Sequence, residues 1–455
     1  MLEKIGNDIK IKTLKKKISK KLTVPGSKSI TNRVLLVGAL NKNKIKLKNV
    51  LISDDTTHML NALKLIGFKF TTTEYSLSEL SNQIKEFYEF IEISKGIKDN
   101  LIVEIGGTGL PKDKKELTLY TGNSGTTMRF LSAFAPLLNG KITLDGDQRM
   151  RERPIGDLTK ALRTLGIDVT DNNGYPPLQV NAMGSVKGGE TYISGNISSQ
   201  YISGLMLSAP YYSEGLTIKI QGELVSKPFV DMTAKVMGNF RVEIQNNNYK
   251  EIKIPKGEYS REKEFFIEPD LTNAFYFLSI PCIIGGEVYI YGIGKGSIQG
   301  DLKFAEILKD IGSEVEITDN YIKVSSDGKP KGNKTLDMND IPDLVQTMAV
   351  ISLFADGPIE IRNVSNLRVK ETDRIKALCN EIRKLGGKVE EYPDGLKIIP
   401  QKDYTPTKIS TYNDHRMAMS FALAGLAIDE LVIENYRCTS KTFPNFWDYL
   451  EFFYT

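Results

Sequence analysis

Residues 304–317, FAEILKDIGSEVEI, decide how the chain is read. They form an amphipathic helical pattern that closes on Ile-Gly, with Gly312 where a helix C-terminus needs a left-handed residue, and then an alternating strand pattern. The same pattern recurs in MLNALKLIGFKF (59–70), LTKALRTLGIDV (158–169), MTAKVMGNFRVEI (232–244) and LCNEIRKLGGKVEE (378–391). The capping glycines fall at 67, 166, 238, 312 and 386, so the intervals are 99, 72, 74 and 74 residues. One such helix end means little, but five in near-register predict a repeat architecture. The long first interval is explained by an insertion, TTTEYSLSELSNQIKEFYEFIEISKGIKDN (71–100), whose weak patterning predicts a surface excursion.

A sixth copy would close at about residue 460, past Thr455. The last helical pattern, FPNFWDYLEFF (443–453), has no strand after it, and the strand patterns IKIKTL (9–14) and KKLTV (20–24) have no helix before them. The first strands therefore complete the last unit. The prediction is an α/β chain of two lobes, each of three repeated β/α units, with apolar helices such as MAMSFALAGLAI (417–428) enclosed by sheet.

Composition bounds the function. A length of 455 residues suits two or three domains, and 40% apolar with 25% charged residues is ordinary for a globular protein. No run approaches the roughly 18 apolar residues of a membrane helix. A net charge of +4 over this length predicts no broad nucleic-acid face. Cys282, Cys379 and Cys438 lie far apart, which argues against a disulfide framework and for a reducing compartment. With only His58 and His415, a histidine-rich metal centre has little material. The lysines of 10–21 read as the solvated face of an edge strand rather than a targeting segment, because the N-terminal segment has no apolar core and no arginine and contains Glu3 and Asp8.

Chemistry concentrates in short polar segments at predicted helix openings. VPGSKSITNRVLLVGAL (24–40) places Ser27, Lys28, Ser29 and Arg33 at the start of an apolar helix, an anion-binding arrangement of hydroxyls, backbone N–H groups and cations. LYTGNSGTTMRFLSAF (119–134) repeats it with Asn123, Ser124, Gly125, Thr126 and Arg129. Neither is a P-loop, and GIGKGSIQG (292–300) reads as a turn. GDQRMRERPIGDL (146–158) adds Arg149, Arg151 and Arg153 before a helix started by Pro154, and SGNISSQYISGLMLSAP (194–210) adds Ser198, Ser199 and Gln200. Later, NVSNLRVKETDRIKAL (363–378) contributes Lys370, Glu371, Asp373 and Arg374, NDHRMAM (413–419) contributes Arg416, and CTSKTFPNF (438–446) contributes Lys441. Cations drawn from both lobes, with Asp343 and Glu371 for proton work, fit a reaction between anionic small molecules that needs neither metal nor covalent nucleophile.

In their order PGSKSITNR, GNSGTTMRFL, ERPIG, ISSQYISGLM, VSKPFVDMT, IPD, RVKETDRI, NDHRMAM and KTFPNFW, these segments resemble those of the EPSP synthase family from about Val24 to Trp447. The resemblance implies a two-lobed inverse β/α barrel of the enolpyruvate-transferase kind, with residues 27–268 as one lobe and 1–26 plus 269–455 as the other. It implies transfer of the enolpyruvyl group of phosphoenolpyruvate to the 5-hydroxyl of shikimate 3-phosphate with release of phosphate, and no metal or organic cofactor. By position, Lys28, Ser29, Arg33, Ser198, Ser199, Gln200, Ser226, Asp343, Asn366 and Lys370 would meet shikimate 3-phosphate. Lys28, Asn123, Gly125, Thr126, Arg153, Gln200, Arg374, Arg416 and Lys441 would surround phosphoenolpyruvate. Asp343 would be the base on the 5-hydroxyl, and Glu371 with Lys28 would deliver the proton to the methylene carbon.

Phe130 and Phe229 depart from the family pattern, the first replacing a common Pro and the second a substrate-facing Tyr. The insertion before Gly122 suggests likeness to fungal and protist forms, some of which are one domain of a multifunctional chain; otherwise the family implies a monomer. The missing presequence and the cysteine usage predict a cytoplasmic location, with small-molecule substrates and neither nucleic acid nor membrane as partner. Retention of Gly125 and Thr126 makes glyphosate a candidate inhibitor. Two other readings stay open: a catalytically inactive anion-binding scaffold, and a UDP-N-acetylglucosamine enolpyruvyl transferase, against which Gln148 stands where that enzyme carries a cysteine.

Overall fold

The computed structural model of the chain describes residues 1–75 and 100–455. These divide into two compact units, one holding Met1–Pro25 and Glu268–Thr455, the other Gly26–Glu74 and Leu101–Ile267. Each unit contains three four-stranded sheets, and all six sheets share one plan. In the plainest instance, Lys114–Tyr120 runs parallel to Asn139–Asp145, which pairs antiparallel with Tyr175–Met183, which pairs antiparallel with Val169–Asn172. The sheets of Gly189–Ser194 and of Lys334–Asp337 repeat this order within their own stretches of chain.

The other sheets borrow a strand from far along the chain. Ile18–Leu22 runs parallel to Gly286–Tyr291, and Glu264–Phe266 runs parallel to Lys44–Leu51. Asp8–Ile11 pairs with Leu431–Ile433 on one side and Leu2–Ile5 on the other. This corrects the reading of IKIKTL as an edge strand: Asp8–Ile11 is interior and Ile9 and Ile11 are fully buried, whereas Ile18–Leu22 does lie at an edge.

Between paired strands run two kinds of helix. Lys28–Leu40, Gly125–Phe134 and Ser199–Ser208 in one unit, and Leu271–Leu278, Val345–Ser352 and His415–Ala424 in the other, are buried along nearly their whole length. Their apolar residues pack on all sides, as helices enclosed by sheets require. A Cβ on Gly204 would sit 2.8 Å from the Arg129 carbonyl, so two inner helices pass backbone to backbone at that glycine. The outer helices, among them Asp54–Ile66, Gly156–Thr164, Phe304–Asp310 and Arg374–Lys384, keep one polar face and carry the recurring cap.

At four of the five copies the glycine takes the predicted left-handed turn, with φ of 114°, 76°, 99° and 80° at Gly67, Gly166, Gly312 and Gly386. Gly238 does not. The helix Lys227–Asn239 runs through it, Arg241 takes the positive φ at 65°, and the strand begins only at Gln245. Two further boundaries differ from expectation. The helix after Arg153 begins at Gly156 rather than Pro154, and the first residues of the presumed surface excursion, TTTEY, form the end of strand Phe70–Tyr75. Residues 76–99 of that insertion lie outside the described residues. The three cysteines are buried and unbridged.

Candidate active site

In the unit of Gly26–Glu74 and Leu101–Ile267, polar residues gather where the inner helices begin. Arg33, in the second turn of Lys28–Leu40, is 2% exposed. Its Nε donates to Thr233 Oγ1 at 2.8 Å, its Nη1 to the Ser29 carbonyl at 2.8 Å, and its Nη2 to the Phe229 carbonyl at 3.1 Å and Ser203 Oγ at 3.2 Å. Every one of these acceptors is neutral. The rings of Phe130 and Phe229, the two departures from the family pattern, lie 5.2 and 6.0 Å from the guanidinium carbon. Burial pulls the Arg33 pKa down to about 9. A buried cation held only by neutral groups is poised for an anion, because a bound negative charge removes the penalty of its desolvation.

Lys28 lies beside it at the helix opening, its Nζ 3.4 Å from Asp55 Oδ2. Ser198 caps the third inner helix by accepting from the Gln200 N–H, and Gln200 Nε2 donates to Thr126 Oγ1 at 3.3 Å. The N-terminal ends of the second and third inner helices thus meet. Ser199 and Ser226 are both buried, Ser226 at a left-handed φ of 58° that opens Lys227–Asn239.

Of the three clustered arginines only Arg153 is buried. Arg149 and Arg151 pair with Glu152 and Asp145 at the surface. Arg153 Nη1 donates to Asn123 Oδ1 at 3.0 Å and to the Asn123 carbonyl at 3.2 Å. Its Nη2 would lie 2.7 Å from a Cβ on Gly125, so glycine is what lets the guanidinium approach the helix N-terminus. Arg129 and the Tyr201 hydroxyl both donate to the Pro154 carbonyl, which fixes the segment carrying Arg153.

The second unit holds a different assembly. Arg374, 1% exposed, donates from Nε to Asp414 Oδ2 at 2.8 Å, from Nη1 to Asp343 Oδ1 at 3.1 Å and from Nη2 to Glu371 Oε2 at 2.9 Å. Arg416 Nη2 donates to the other oxygen of Asp343 at 2.8 Å, and its Nη1 reaches the Tyr276 hydroxyl at 3.4 Å. Lys441 Nζ stands 3.7 Å from Glu371 Oε1. Asp343 therefore bridges two arginines, and Glu371 bridges an arginine and a lysine. Burial opposes the charge on Arg374, but Asp414, Glu371 and Asp343 together hold its pKa above the usual arginine value. Arg416 is raised in the same way, against burial, chiefly by Asp343. Asn366 is 4% exposed and neither atom of its amide has a hydrogen-bond partner among the described residues, which marks it for a polar ligand. Lys370 follows it at the end of the same short 3-10 segment.

Several residues in these networks escaped sequence reading. Asp414 sits inside NDHRMAM, and its place two residues before Arg416 is an N-cap signal. Ser203 and Tyr276 lie within apolar helices and Thr233 on the buried face of an amphipathic one, where nothing in the pattern sets them apart.

Buried cations at helix openings, with carboxylates set among them, define an α/β protein suited to small polyanions. The chain belongs to the EPSP synthase (3-phosphoshikimate 1-carboxyvinyltransferase) family, whose pattern matches residues 12–450. It is 44% identical over 437 residues to a 3-phosphoshikimate 1-carboxyvinyltransferase of Photobacterium profundum, covering 95% of this chain and 96% of that one. It is 43% identical over 449 residues to the enzyme of that name from Sulfurovum, covering 98% and 99%. An EPSP synthase structure from Acinetobacter baumannii superposes with a TM-score of 0.75 at 22% identity over 98% of both chains, which speaks for the fold alone. These relatives are bacterial, so the suggested likeness to fungal and protist forms is not supported, and near-complete coverage of both partners leaves the insertion no weight as evidence for it.

Proposed function

We propose that the chain transfers the enolpyruvyl group of phosphoenolpyruvate to the 5-hydroxyl of shikimate 3-phosphate, giving 5-enolpyruvylshikimate 3-phosphate and phosphate. The observation that carries the mechanism is Asp343, one carboxylate bridging two buried arginines. A carboxylate so held stays ionised and oriented, as a base on a hydroxyl must be. In this reading Asp343 takes the proton of the 5-hydroxyl, while Glu371 or Lys28 delivers one to the methylene carbon of phosphoenolpyruvate. Attack then gives a tetrahedral adduct carrying both phosphate and carboxylate. Arg153, Arg374, Arg416 and Lys441, with Asn123, Gly125 and Thr126, are assigned to the phosphoenolpyruvate portion and stabilise its charges as they develop. The C–O bond to phosphate then breaks as the methyl group loses a proton, which gives the enol ether and releases phosphate.

Shikimate 3-phosphate is assigned to Lys28, Ser29, Arg33, Ser198, Ser199, Gln200, Ser226, Asn366 and Lys370. Arg33 with its neutral partners suits a phosphate, and the unpartnered amide of Asn366 suits a sugar-like hydroxyl. A monomer acting in the cytoplasm completes the proposal; the buried, unbridged cysteines support a reducing compartment.

The deciding experiment measures phosphate release from phosphoenolpyruvate with shikimate 3-phosphate or UDP-N-acetylglucosamine as acceptor. Release that depends on shikimate 3-phosphate is expected. Release with neither acceptor, from folded protein, would favour an inactive anion-binding scaffold.

A further inference from the structure

The turn read from sequence as GIGKGSIQG leads into a carboxyl group that the mechanism above does not use. Asp301, in the 3-10 segment Gly300–Lys303, is 4% exposed and accepts a hydrogen bond from Thr272 Oγ1 at 2.9 Å. Its approach is rigidly set by the neighbouring Gln299. That side chain accepts from the Leu271 N–H at 3.0 Å and donates to the Pro269 carbonyl at 2.8 Å, clamping the segment to the opening of the inner helix Leu271–Leu278. We propose that Asp301 is a positioning residue of the proton-transfer site: it is held by Thr272, one helical turn before the Tyr276 that Arg416 of the Asp343–Arg416 pair reaches, and its carboxyl sets how strongly Asp343 holds a proton. The inference rests on Asp343 being the base.

The groups that act on Asp301 come from three elements. Thr272 and Asp270 belong to the opening of Leu271–Leu278, Asp343 to the turn before Val345–Ser352, and Arg416 to the first turn of His415–Ala424. On its own segment, Lys303 is engaged by Asp340. Burial first, then the charges of Asp343 and Asp270, push the Asp301 carboxyl up to about 7, against the Thr272 hydrogen bond and Arg416, which pull it down. Coupling between two titrating groups is mutual. Asp343 raises the proton affinity of Asp301, so ionised Asp301 raises that of Asp343 and makes it a stronger base. Asp301 is thus neutral in mild acid and charged above neutrality, and turnover should step up as it ionises. Bound anionic substrates displace this step to higher pH.

The test is the pH profile of kcat at saturating substrates, with Asp301→Asn and Thr272→Val beside the wild type. The wild type is expected to show an inflection between about pH 6 and 9, absent in Asp301→Asn, whose kcat on the alkaline side falls about threefold while both KM values stay within about twofold. Thr272→Val keeps the carboxyl but loses the hydrogen bond that favours its charged form, so its inflection should move to higher pH. A merely structural role would lower activity without moving or removing the inflection. An Asp301→Asn profile with the wild-type inflection, or a Thr272→Val inflection at lower pH, overturns the inference, and either variant suffices if the other fails to fold. Asp343→Asn separates the two levels of argument. Undiminished turnover in Asp343→Asn would remove the base itself, whereas inactive Asp343→Asn together with an unaltered Asp301→Asn profile overturns only the role of Asp301.

Discussion

Arg33 and Arg374 are both buried arginines at helix openings, one in each unit, and their surroundings are opposite. Arg33 is held by two carbonyls and two hydroxyls and stacked near two phenylalanines, so burial pulls its pKa down to about 9. Arg374 is held by three carboxylates, which keep its pKa high despite equal burial. The first cation leaves its charge for a ligand to neutralise. The second has its charge met within the protein, and two of the three carboxylates that meet it, Asp343 and Glu371, are the ones proposed above for proton transfer. One unit thus reads as a receptor for an anion already formed, the other as a site where charge must be moved.

Four experiments sharpen or break this contrast. The largest effect is expected from Asp343→Ala, which removes the proposed base and leaves Arg374 and Arg416 without their shared partner; kcat for phosphate release should fall by roughly 10²–10⁴. Normal turnover would end the assignment of proton transfer to this cluster. Next, Arg33→Met should raise the KM for shikimate 3-phosphate by on the order of tenfold or more, the loss of a charge-assisted contact. The same variant tests the receptor idea without catalysis. Because folding lowers the Arg33 pKa, its charge is destabilising at neutral pH, and stability would recover only as pH rises through about 9 toward the unfolded value. Free Arg33→Met should therefore melt higher than wild type by about 2–4 °C at pH 7, and the upward shift caused by shikimate 3-phosphate should shrink. A lower melting temperature with an undiminished ligand shift would contradict it.

Gly125→Ala is expected to have a smaller and more selective effect. The added Cβ would stand 2.7 Å from Arg153 Nη2 and force that guanidinium away. The KM for phosphoenolpyruvate should rise about tenfold, equivalent to about 1.4 kcal/mol, with the KM for shikimate 3-phosphate little changed. Equal changes in both would place Arg153 elsewhere in the reaction. Smallest is the stability change in Asp301→Asn. Folding raises the Asp301 pKa to about 7, so its contribution to stability is full below the ordinary carboxylate range and is lost as pH rises through about 7. The melting temperature of Asp301→Asn, relative to wild type, should climb by a few degrees between pH 5 and pH 8 and then level off. A constant difference across that range would mean that Asp301 does not titrate there.

Much of this was legible in sequence because repeats print their period. Gly67, Gly166, Gly312 and Gly386 cap helices as the spacing requires, since glycine takes a left-handed turn at the least steric cost. Gly238 misled because glycine also fits a helix interior: the chain there turns three residues later, at Arg241, and the repeat continues regardless. The motif cations were visible from residue type and position, but not which of them would be buried. Arg149, Arg151 and Arg153 look alike in sequence, and only Arg153 is turned inward to meet Asn123 beside a glycine that makes room. The insertion showed its place and not its meaning, for length alone could not tell likeness to bacterial relatives from likeness to fungal ones.

By itself the sequence determined the α/β class, the repeated unit and the family, because periodicity, capping and ordered motifs are local signals carried by neighbouring residues. Only the tertiary structure decided which charges face one another. Asp343 joins Arg374 and Arg416 across 31 and 73 residues, Arg33 reaches Thr233 across 200, and Thr272 finds Asp301 across 29. The proton affinity of a buried group is set by its burial and by such neighbours, and neither is written in the residues beside it along the chain.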